Sequence, residues 1–357
     1  MTLPLPTDYG LVLSELTKRA AACRQPVNGT FELSERCNLS CSMCYVRQSA
    51  KDHAQRLKEL SASEWLRLAQ DAADNGMVFL LLTGGEIFLR SDFFEIYGPL
   101  RRMGLVLTLY TNGTLITDET ARRLADAPPN VTEITLYGAS AAVYEAVTGV
   151  RGSYAHCLAG IEALLRHGIP LGLKTTLSRQ NIGELGAMQQ MARDWGVPFR
   201  TGWLLNRRRD GRSSDIENCR MSVKDSVALE AVDRASALDS TEAALREPSM
   251  DQAQSFRCHA GKSVFVVNSS GEMNACLQLP QPMARPLATG FRAAWEHVQR
   301  FVDEAPPLSQ TCFSCKARAY CLQCPSWSWL ESGTLTEPVP YLCEIAFARR
   351  ERQGQDA

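Results

Sequence analysis

Six apolar segments alternate with helical patterns over the first 205 residues, and this alternation restricts the fold more than any other feature. The segments are residues 30–33, 78–82, 105–110, 131–136, 171–176 and 199–205. Four glycines stand where the intervening helices are expected to end, since a left-handed cap needs no Cβ: Gly76, Gly104, Gly168 and Gly196. Ser61 and Glu64 predict a capping box. Strands separated by helices pair in parallel, so the sequence predicts an α/β fold, either a barrel or a doubly wound sheet, with its ligand at the C-terminal strand ends.

Composition limits the partners and the compartment. With 357 residues, 45% hydrophobic and 22% charged, the chain is typical of a globular protein of about two domains. A net charge of -1 provides no field to attract nucleic acid, and the basic run Arg207–Arg209 is expected to be a solvated loop. The first 27 residues contain one amphipathic helical pattern at 11–24 but neither a signal peptide nor a membrane span. The sequence therefore predicts a cytoplasmic protein that binds no membrane.

Thirteen cysteines in a protein of a reducing compartment indicate metal ligation more than disulfides. Cys37, Cys41 and Cys44 lie in one loop directly after the first predicted strand, here called the Cys37 loop (residues 37–44), and the next cysteine is Cys157. Three thiols can bind three irons of a four-iron, four-sulfur cluster and leave the fourth iron open. Such a cluster is suited to binding a ligand.

The loop after the second predicted strand reads Thr83-Gly84-Gly85-Glu86. Two glycines allow a close approach of the backbone, and this loop is expected to face the same ligand as the Cys37 loop. Taken alone, the motif is also a common turn before a helix, where Glu is favoured.

The C-x3-C-x2-C spacing together with Gly-Gly-Glu resembles the radical SAM enzymes. The resemblance implies a partial (β/α)6 TIM-like barrel, a 4Fe-4S cluster on the Cys37 loop and S-adenosylmethionine (SAM) on its open iron. It also implies that Gly84, Gly85 and Glu86 bind the amino group of SAM. Polar residues at the ends of the next three strands are further candidate cofactor contacts, although ordinary strand-end turns explain them equally well: Asn112, Thr135 and Lys174.

A second group of cysteines follows a polar helical segment at 222–247. Its members are Cys258, Cys276, Cys312, Cys315, Cys321, Cys324 and Cys343. Zinc is the alternative to iron and sulfur here, but zinc ribbons separate their C-x-x-C pairs by about 15–20 residues. Only five residues separate Cys315 from Cys321, which disfavours zinc.

The order of these cysteines resembles the SPASM domain, a small Cys-rich domain that binds auxiliary iron-sulfur clusters. The resemblance implies an outer 4Fe-4S cluster on Cys312, Cys315, Cys321 and Cys343. It implies an inner 4Fe-4S cluster on Cys258, Cys276 and Cys324, although Cys321 and Cys324 are one residue closer than the usual C-x3-C. A substrate thiolate is the predicted fourth ligand of the inner cluster, which would make thioether formation the most economical chemistry, and His259 and Cys219 are its rivals.

These patterns divide the chain into five predicted parts. They are an N-terminal extension (1–27), the radical SAM barrel (28–215), a helical bridge (216–255), the SPASM domain (256–345) and a C-terminal tail (346–357).

The resemblance predicts an enzyme that cleaves SAM reductively to a 5'-deoxyadenosyl radical and abstracts hydrogen from its substrate. The electron comes from a donor such as flavodoxin or ferredoxin.

SPASM enzymes act mostly on peptides and proteins, so a crosslink in a ribosomal peptide is the predicted reaction. The alternatives are a small-molecule substrate and a non-catalytic iron-sulfur or zinc protein. Leu277 follows Cys276 where sulfatase maturases carry Asp, which counts against that reaction. The 27 residues before the barrel are too few for a leader-binding domain, so either a separate protein presents the peptide, or the barrel mouth recognises it, or the substrate is small.

Overall fold

A computed structural model describes residues 9–212, 214–236 and 255–355 of the chain. The strands are β1 (Asn28–Ser34), β2 (Arg36–Cys37), β3 (Gln48–Ser49), β4 (Phe79–Gly84), β5 (Val106–Thr111), β6 (Val131–Thr135), β7 (Leu171–Thr176), β8 (Phe199–Gly202), β9 (Val264–Val267) and β10 (Met273–Asn274). All six predicted strands are present.

Helices follow most of the long strands. They are α1 (Tyr9–Ala22), α2 (His53–Arg56), α3 (Ala62–Asp74), α4 (Phe93–Arg102), α5 (Asp118–Ala125), α6 (Ala141–Thr148), α7 (Ser153–Arg166), α8 (Leu185–Asp194), α9 (Ile216–Cys219), α10 (Val223–Ser236), α11 (Pro286–Thr289), α12 (Phe291–Asp303), α13 (Gln310–Phe313), α14 (Pro325–Ser332) and α15 (Pro340–Gln355). Short 3-10 turns occur at Ile87–Leu89, Ile182–Glu184 and Arg318–Tyr320. None of the described helices is both long and apolar enough to cross a bilayer.

One large sheet organises the fold, with the strand order β10-β9-β1-β4-β5-β6-β7-β8. Neighbours from β9 to β8 pair in parallel and only β10 is antiparallel, so the sheet is a partial TIM-like barrel as predicted. It has eight strands in place of six, because β9 pairs Val264–Val267 with Asn28–Phe31 of β1 and β10 pairs with the other side of β9. The predicted SPASM region thus completes the barrel sheet, and an unpaired edge at β1 is avoided.

Local signals in the sequence set the helix ends. Ser61 accepts a hydrogen bond from the Glu64 backbone while the Glu64 side chain accepts one from the Ser61 backbone, which confirms the capping box. The four glycines predicted to end helices all have positive φ, between 65° and 106°: Gly76, Gly104, Gly168 and Gly196.

The two faces of the sheet differ in polarity. One face is fully buried beneath the helices, where Phe31 lies 4.8 Å from the ring of Trp65. Residues paired in register share a face in a parallel sheet, so the opposite face carries a set of mostly polar side chains: Glu32, Thr83, Thr108, Tyr110, Glu133, Lys174 and Arg200. Several of these are partly exposed, and β5 alternates between buried and partly exposed residues. We call this open face the sheet groove.

Two predicted boundaries fall differently in the structure. The predicted helical bridge is represented by α9 and α10, and the part of the 222–247 segment beyond residue 236 lies outside the described residues. The predicted tail beyond residue 345 is not separate from what precedes it, because α15 runs without a break from Pro340 to Gln355.

Candidate active site

The Cys37 loop folds its three thiols into one buried apolar environment. Cys41 and Met43 belong to a cluster that also contains Val147 of α6, and Cys37 and Cys44 pack against it. Burial, the carboxylate of Glu86 and the thiol of Cys44 together raise the pKa of the Cys37 thiol to about 12. The thiols are therefore neutral until a metal displaces their protons.

The donor set of the Cys37 loop fits a 4Fe-4S cluster. Burial raises the pKa of Cys41, and so do the thiols of Cys44 and Cys37, which places the three sulfur atoms within electrostatic reach of one another. Among the described residues, no three His, Cys, Asp or Glu side chains are close enough to surround a single metal ion. The thiolates of a four-iron cluster instead bind different irons.

The Gly-Gly-Glu loop lies directly against the backbone that precedes Cys37. The Gly85 amide donates to the Ser34 carbonyl at 2.6 Å, and the Glu86 amide donates to the Arg36 carbonyl at 2.9 Å. A Cβ on Gly84 would lie 2.1 Å from the Ser34 oxygen, and one on Gly85 would lie 2.3 Å from the Arg36 oxygen. Both glycines are thus required for this contact, which brings the two motifs together as predicted.

The carboxylate of Glu86 connects β4 to β5. It is fully buried and accepts hydrogen bonds from the Phe88 amide at 3.1 Å, the Thr111 hydroxyl at 2.8 Å and the Asn112 amide at 2.8 Å. Burial raises the pKa of Glu86, and these hydrogen bonds oppose the rise. Because both oxygens already bind protein donors, contact of this side chain with the amino group of SAM stays a prediction.

Asn112 is brought to the Cys37 loop. Its Nδ2 lies 3.7 Å from the Cys37 sulfur and donates to Asn38 Oδ1 at 2.9 Å. Asn38 in turn donates to the Thr114 hydroxyl at 2.8 Å. A polar network therefore supports the first thiol from the end of β5.

Lys174 and Thr135 are neighbours in register on β7 and β6. The Lys174 ammonium lies 3.7 Å from Glu133 Oε2 and 2.7 Å above the ring centroid of Tyr110. Lys174 is thus engaged in the wall of the sheet groove, and a contact between either residue and the cofactor stays a prediction.

The basic run 207–209 is not the solvated loop that the sequence predicted. Arg209 is 9% exposed and pairs with the fully buried Glu32 at 2.7 Å and with Glu35 at 2.8 Å. Its Nη1 donates to the Leu277 carbonyl at 2.9 Å, and its amide donates to the Tyr45 carbonyl at 2.9 Å. Tyr45 directly follows Cys44, and Leu277 directly follows Cys276. One guanidinium residue therefore joins the two cysteine segments.

Sequence reasoning missed Arg209, although a signal was present. Glu32 lies in the middle of the first apolar strand, where a charged group must be paired when it is buried. Within the run 207–209, Arg207 fits the expected solvated loop best, because its side chain is 46% exposed.

Four C-terminal cysteines surround one cavity of about 270 Å³. They are the residues assigned to the outer cluster, Cys312, Cys315, Cys321 and Cys343. Lys316 and Arg318 also line the cavity. The four cysteines that the sequence analysis assigned to one cluster therefore lie close together in the structure.

The three cysteines assigned to the inner cluster also lie near one another. Burial and the thiols of Cys258 and Cys276 together raise the pKa of Cys324 to about 12. Arg257 donates to the carbonyls of Cys321 at 2.7 Å and Gln323 at 3.3 Å, so its guanidinium lies between the two cysteine groups.

The sequence prediction of Cys219 as a rival ligand of the inner cluster is wrong. It is 3% exposed, belongs to the same buried cluster as Cys41 and Met43, and donates to the Ser42 hydroxyl at 3.4 Å. The short helix α9 carries it to the Cys37 loop. His259 faces the ammonium groups of Lys262 and Lys18, and burial together with these charges lowers its pKa.

The class of protein follows from the fold and the comparison of families. A partial barrel with a three-cysteine loop after its first strand and Gly-Gly-Glu after the next long strand is the arrangement of a SAM-cleaving iron-sulfur enzyme. Residues 31–191 match the Radical SAM superfamily. Residues 31–191 are therefore a radical SAM domain, and enzymes of this family use SAM and a 4Fe-4S cluster.

Curated relatives differ in what they make. The chain is 26% identical over 333 residues to the AdoMet-dependent heme synthase of Methanosarcina barkeri, a match that covers 87% of this chain and 94% of that protein. It is also 26% identical over 310 residues to the antilisterial bacteriocin subtilosin biosynthesis protein AlbA of Bacillus subtilis, covering 84% and 67% of the two chains.

Solved structures share the fold over nearly the whole chain. Streptococcus suis SuiB bound to S-adenosylmethionine superposes with a TM-score of 0.70 at 15% identity, covering 95% of this chain and 84% of that one. Native anSMEcpe with bound AdoMet gives a TM-score of 0.67 at 15% identity, covering 93% and 100%.

Proposed function

We propose that the chain modifies a peptide or protein substrate by radical chemistry, with a crosslink such as a thioether as the product. The observation that carries the proposal is the sheet groove, a mostly polar and partly exposed sheet face whose Glu32 is joined through Arg209 to Tyr45, directly after the Cys37 loop. A bound cluster and SAM supply the 5'-deoxyadenosyl radical. Relatives named for bacteriocin biosynthesis and as PqqA peptide cyclases support a peptide as substrate.

A tetrapyrrole is the second candidate substrate. The heme synthase of Methanosarcina barkeri is matched over 94% of its length, against 67% for the bacteriocin protein.

Deuterium transfer separates these candidates. The enzyme, reconstituted without oxygen and reduced with dithionite, is incubated with SAM and with either deuterated precursor peptides from its genomic neighbourhood or a deuterated tetrapyrrole. Deuterium in 5'-deoxyadenosine identifies the substrate that loses the hydrogen atom. Transfer from neither kind of compound, with SAM cleavage intact, would contradict both candidates.

We further propose that the C-terminal cysteines carry two auxiliary 4Fe-4S clusters and that 256–345 forms a SPASM domain joined to the 28–215 barrel by the 216–255 bridge. Support comes from the cavity lined by the four outer cysteines and from the proximity of the three inner ones. A one-electron donor such as flavodoxin or ferredoxin reduces the enzyme, and a peptide substrate is recognised either by a separate leader-binding protein or by the barrel mouth.

Iron content provides a quantitative prediction. Three clusters correspond to about twelve irons per chain, and about eight should remain when Cys37, Cys41 and Cys44 are all replaced by Ala. Iron and acid-labile sulfide are measured on the anaerobically reconstituted protein. About four irons per chain together with bound zinc would contradict the auxiliary clusters.

The fourth ligand of the inner cluster provides another prediction. Because Cys219 packs against the Cys37 loop, Cys219→Ala should leave the inner cluster intact, whereas Cys276→Ala should remove it. Iron analysis and electron paramagnetic resonance measure both effects. Loss of the inner cluster in Cys219→Ala would restore Cys219 as its ligand and exclude an iron open to substrate.

A further inference from the structure

The wall of the sheet groove formed by β6, β7 and β8 carries an excess of positive charge. Lys174 and Arg200 are neighbours in register, and both pair with Glu133 of β6. Two cations therefore share one carboxylate. Tyr110 of the adjacent strand β5 is in register with Glu133. Burial and the Glu133 carboxylate raise the pKa of Tyr110 to about 12, so its hydroxyl stays neutral.

Arg200 combines a fixed orientation with an accessible guanidinium. Both hydrogen bonds that it makes with described residues leave from Nη2, one to Glu133 and one to the Tyr110 hydroxyl at 3.2 Å. The side chain is 41% exposed, whereas Glu133 is 10% exposed. The guanidinium is thus held by one edge while the remainder faces the groove.

An arginine of this kind recognises a carboxylate. The planar guanidinium matches a carboxylate with two parallel N–H donors, and a pair that is shielded from water is stronger than one at the surface. Lys174 adds a second positive charge on the adjacent strand, and its position is fixed by Glu133 and the Tyr110 ring.

We propose that Arg200, supported by Lys174, binds a carboxylate of the substrate in the sheet groove. This inference rests on the proposed function for the identity of the groove as the substrate site, and it narrows the substrate to an acidic compound. The carboxylate comes either from an acidic side chain of a peptide or from a propionate arm of a tetrapyrrole.

Two matched pairs of probes distinguish these sources. The first pair is acetyl-Ala-Glu-Ala-amide and acetyl-Ala-Gln-Ala-amide; the second is coproporphyrin III and its tetramethyl ester. Binding is titrated to the SAM-loaded holoenzyme by isothermal calorimetry. The wild type should bind the acid of one pair about 10- to 100-fold more tightly than its neutral partner, the range expected for a charge-assisted hydrogen bond. The pair that shows this preference identifies the source.

Variants assign the preference to Arg200. Arg200→Gln should abolish the acid preference and leave binding of the neutral probe unchanged. Arg200→Lys should keep part of the preference, because lysine retains the positive charge but lacks the two parallel N–H donors of the guanidinium. Arg193→Gln is the matched control, since Arg193 is an exposed helical residue that bonds to Gln190, and it should keep the full preference.

Three results overturn the proposal. They are the absence of an acid preference in both pairs, an unchanged preference in Arg200→Gln and Arg200→Lys, and a loss of SAM affinity in these variants in place of probe affinity. The proposed function can fail separately. If the enzyme shows a clear acid preference but no substrate hydrogen is transferred to the 5'-deoxyadenosyl radical, the carboxylate site stands and the radical chemistry is refuted.

Discussion

Replacement of Cys41 by Ala is expected to abolish reductive cleavage of SAM. Cys41 is 8% exposed at the centre of the buried cluster of the Cys37 loop, and the other two thiols of the loop lie within its electrostatic reach. Removing one of three ligands leaves the cluster bound by only two cysteines. Because the cofactor carries out the cleavage of SAM, loss of the cluster removes the reaction. The rate of 5'-deoxyadenosine formation should fall by at least about 100-fold, since loss of an outer-shell partner of a metal already costs 10- to 100-fold.

Cys157→Ala is the matched control for this prediction. Like Cys41, Cys157 is a buried cysteine, but it lies in α7 and outside the Cys37 loop. Its replacement creates a cavity of similar size and should leave SAM cleavage near the wild-type rate. Product is measured by chromatography after anaerobic reconstitution and dithionite reduction. Normal turnover in Cys41→Ala would show that the loop does not carry the reaction.

The second large effect is expected from Arg209→Gln. Glu32 is 0% exposed and has one oxygen without a hydrogen-bond partner among the described residues, so Arg209 provides its charge compensation. Removing one member of a buried ion pair typically costs about 3–5 kcal/mol in the free energy of unfolding. Guanidinium denaturation followed by tryptophan fluorescence measures the loss.

Three comparisons test the cause of that loss. Arg207→Gln removes a neighbouring arginine whose side chain is 46% exposed, and it should cost less than about 1 kcal/mol. Adding Glu32→Gln to Arg209→Gln should recover part of the loss, because no buried charge is then uncompensated. Burial raises the pKa of Glu32, so the folded Arg209→Gln variant takes up a proton more readily than the unfolded chain, and its deficit should shrink as the pH falls. An equal deficit in Arg207→Gln would contradict this account.

Local patterns were sufficient to predict the strands and helices, whereas the choice of a barrel over a doubly wound sheet came from the resemblance to the radical SAM enzymes. The apolar strands and the helix-ending glycines are encoded within a few residues each, and the structure places Leu171–Thr176 at the predicted bounds. The pairing of β9 with β1 was not predictable in this way, because it joins residues more than 230 positions apart and β9 is only four residues long.

The candidate site was predictable where spacing carries chemistry. The structure groups the outer cysteines around one cavity, as the resemblance implied. It brings Asn112, predicted only as a candidate cofactor contact, to Cys37. The positions of Cys219 and Arg209 depend on how the segment after β8 folds back over the Cys37 loop. No spacing rule encodes such a path, and an isolated cysteine or a run of arginines has no local signal for burial.

The place of β9 in the sheet has a consequence for how enzymes of this architecture diversify. A crossover in the gene between the barrel and the Cys-rich part would separate β1 from β9, and the hybrid would need a replacement strand that matches the backbone of Asn28–Phe31. It would also need a carbonyl at the position of Leu277 for Arg209. Recombination of the two parts as independent modules is therefore disfavoured.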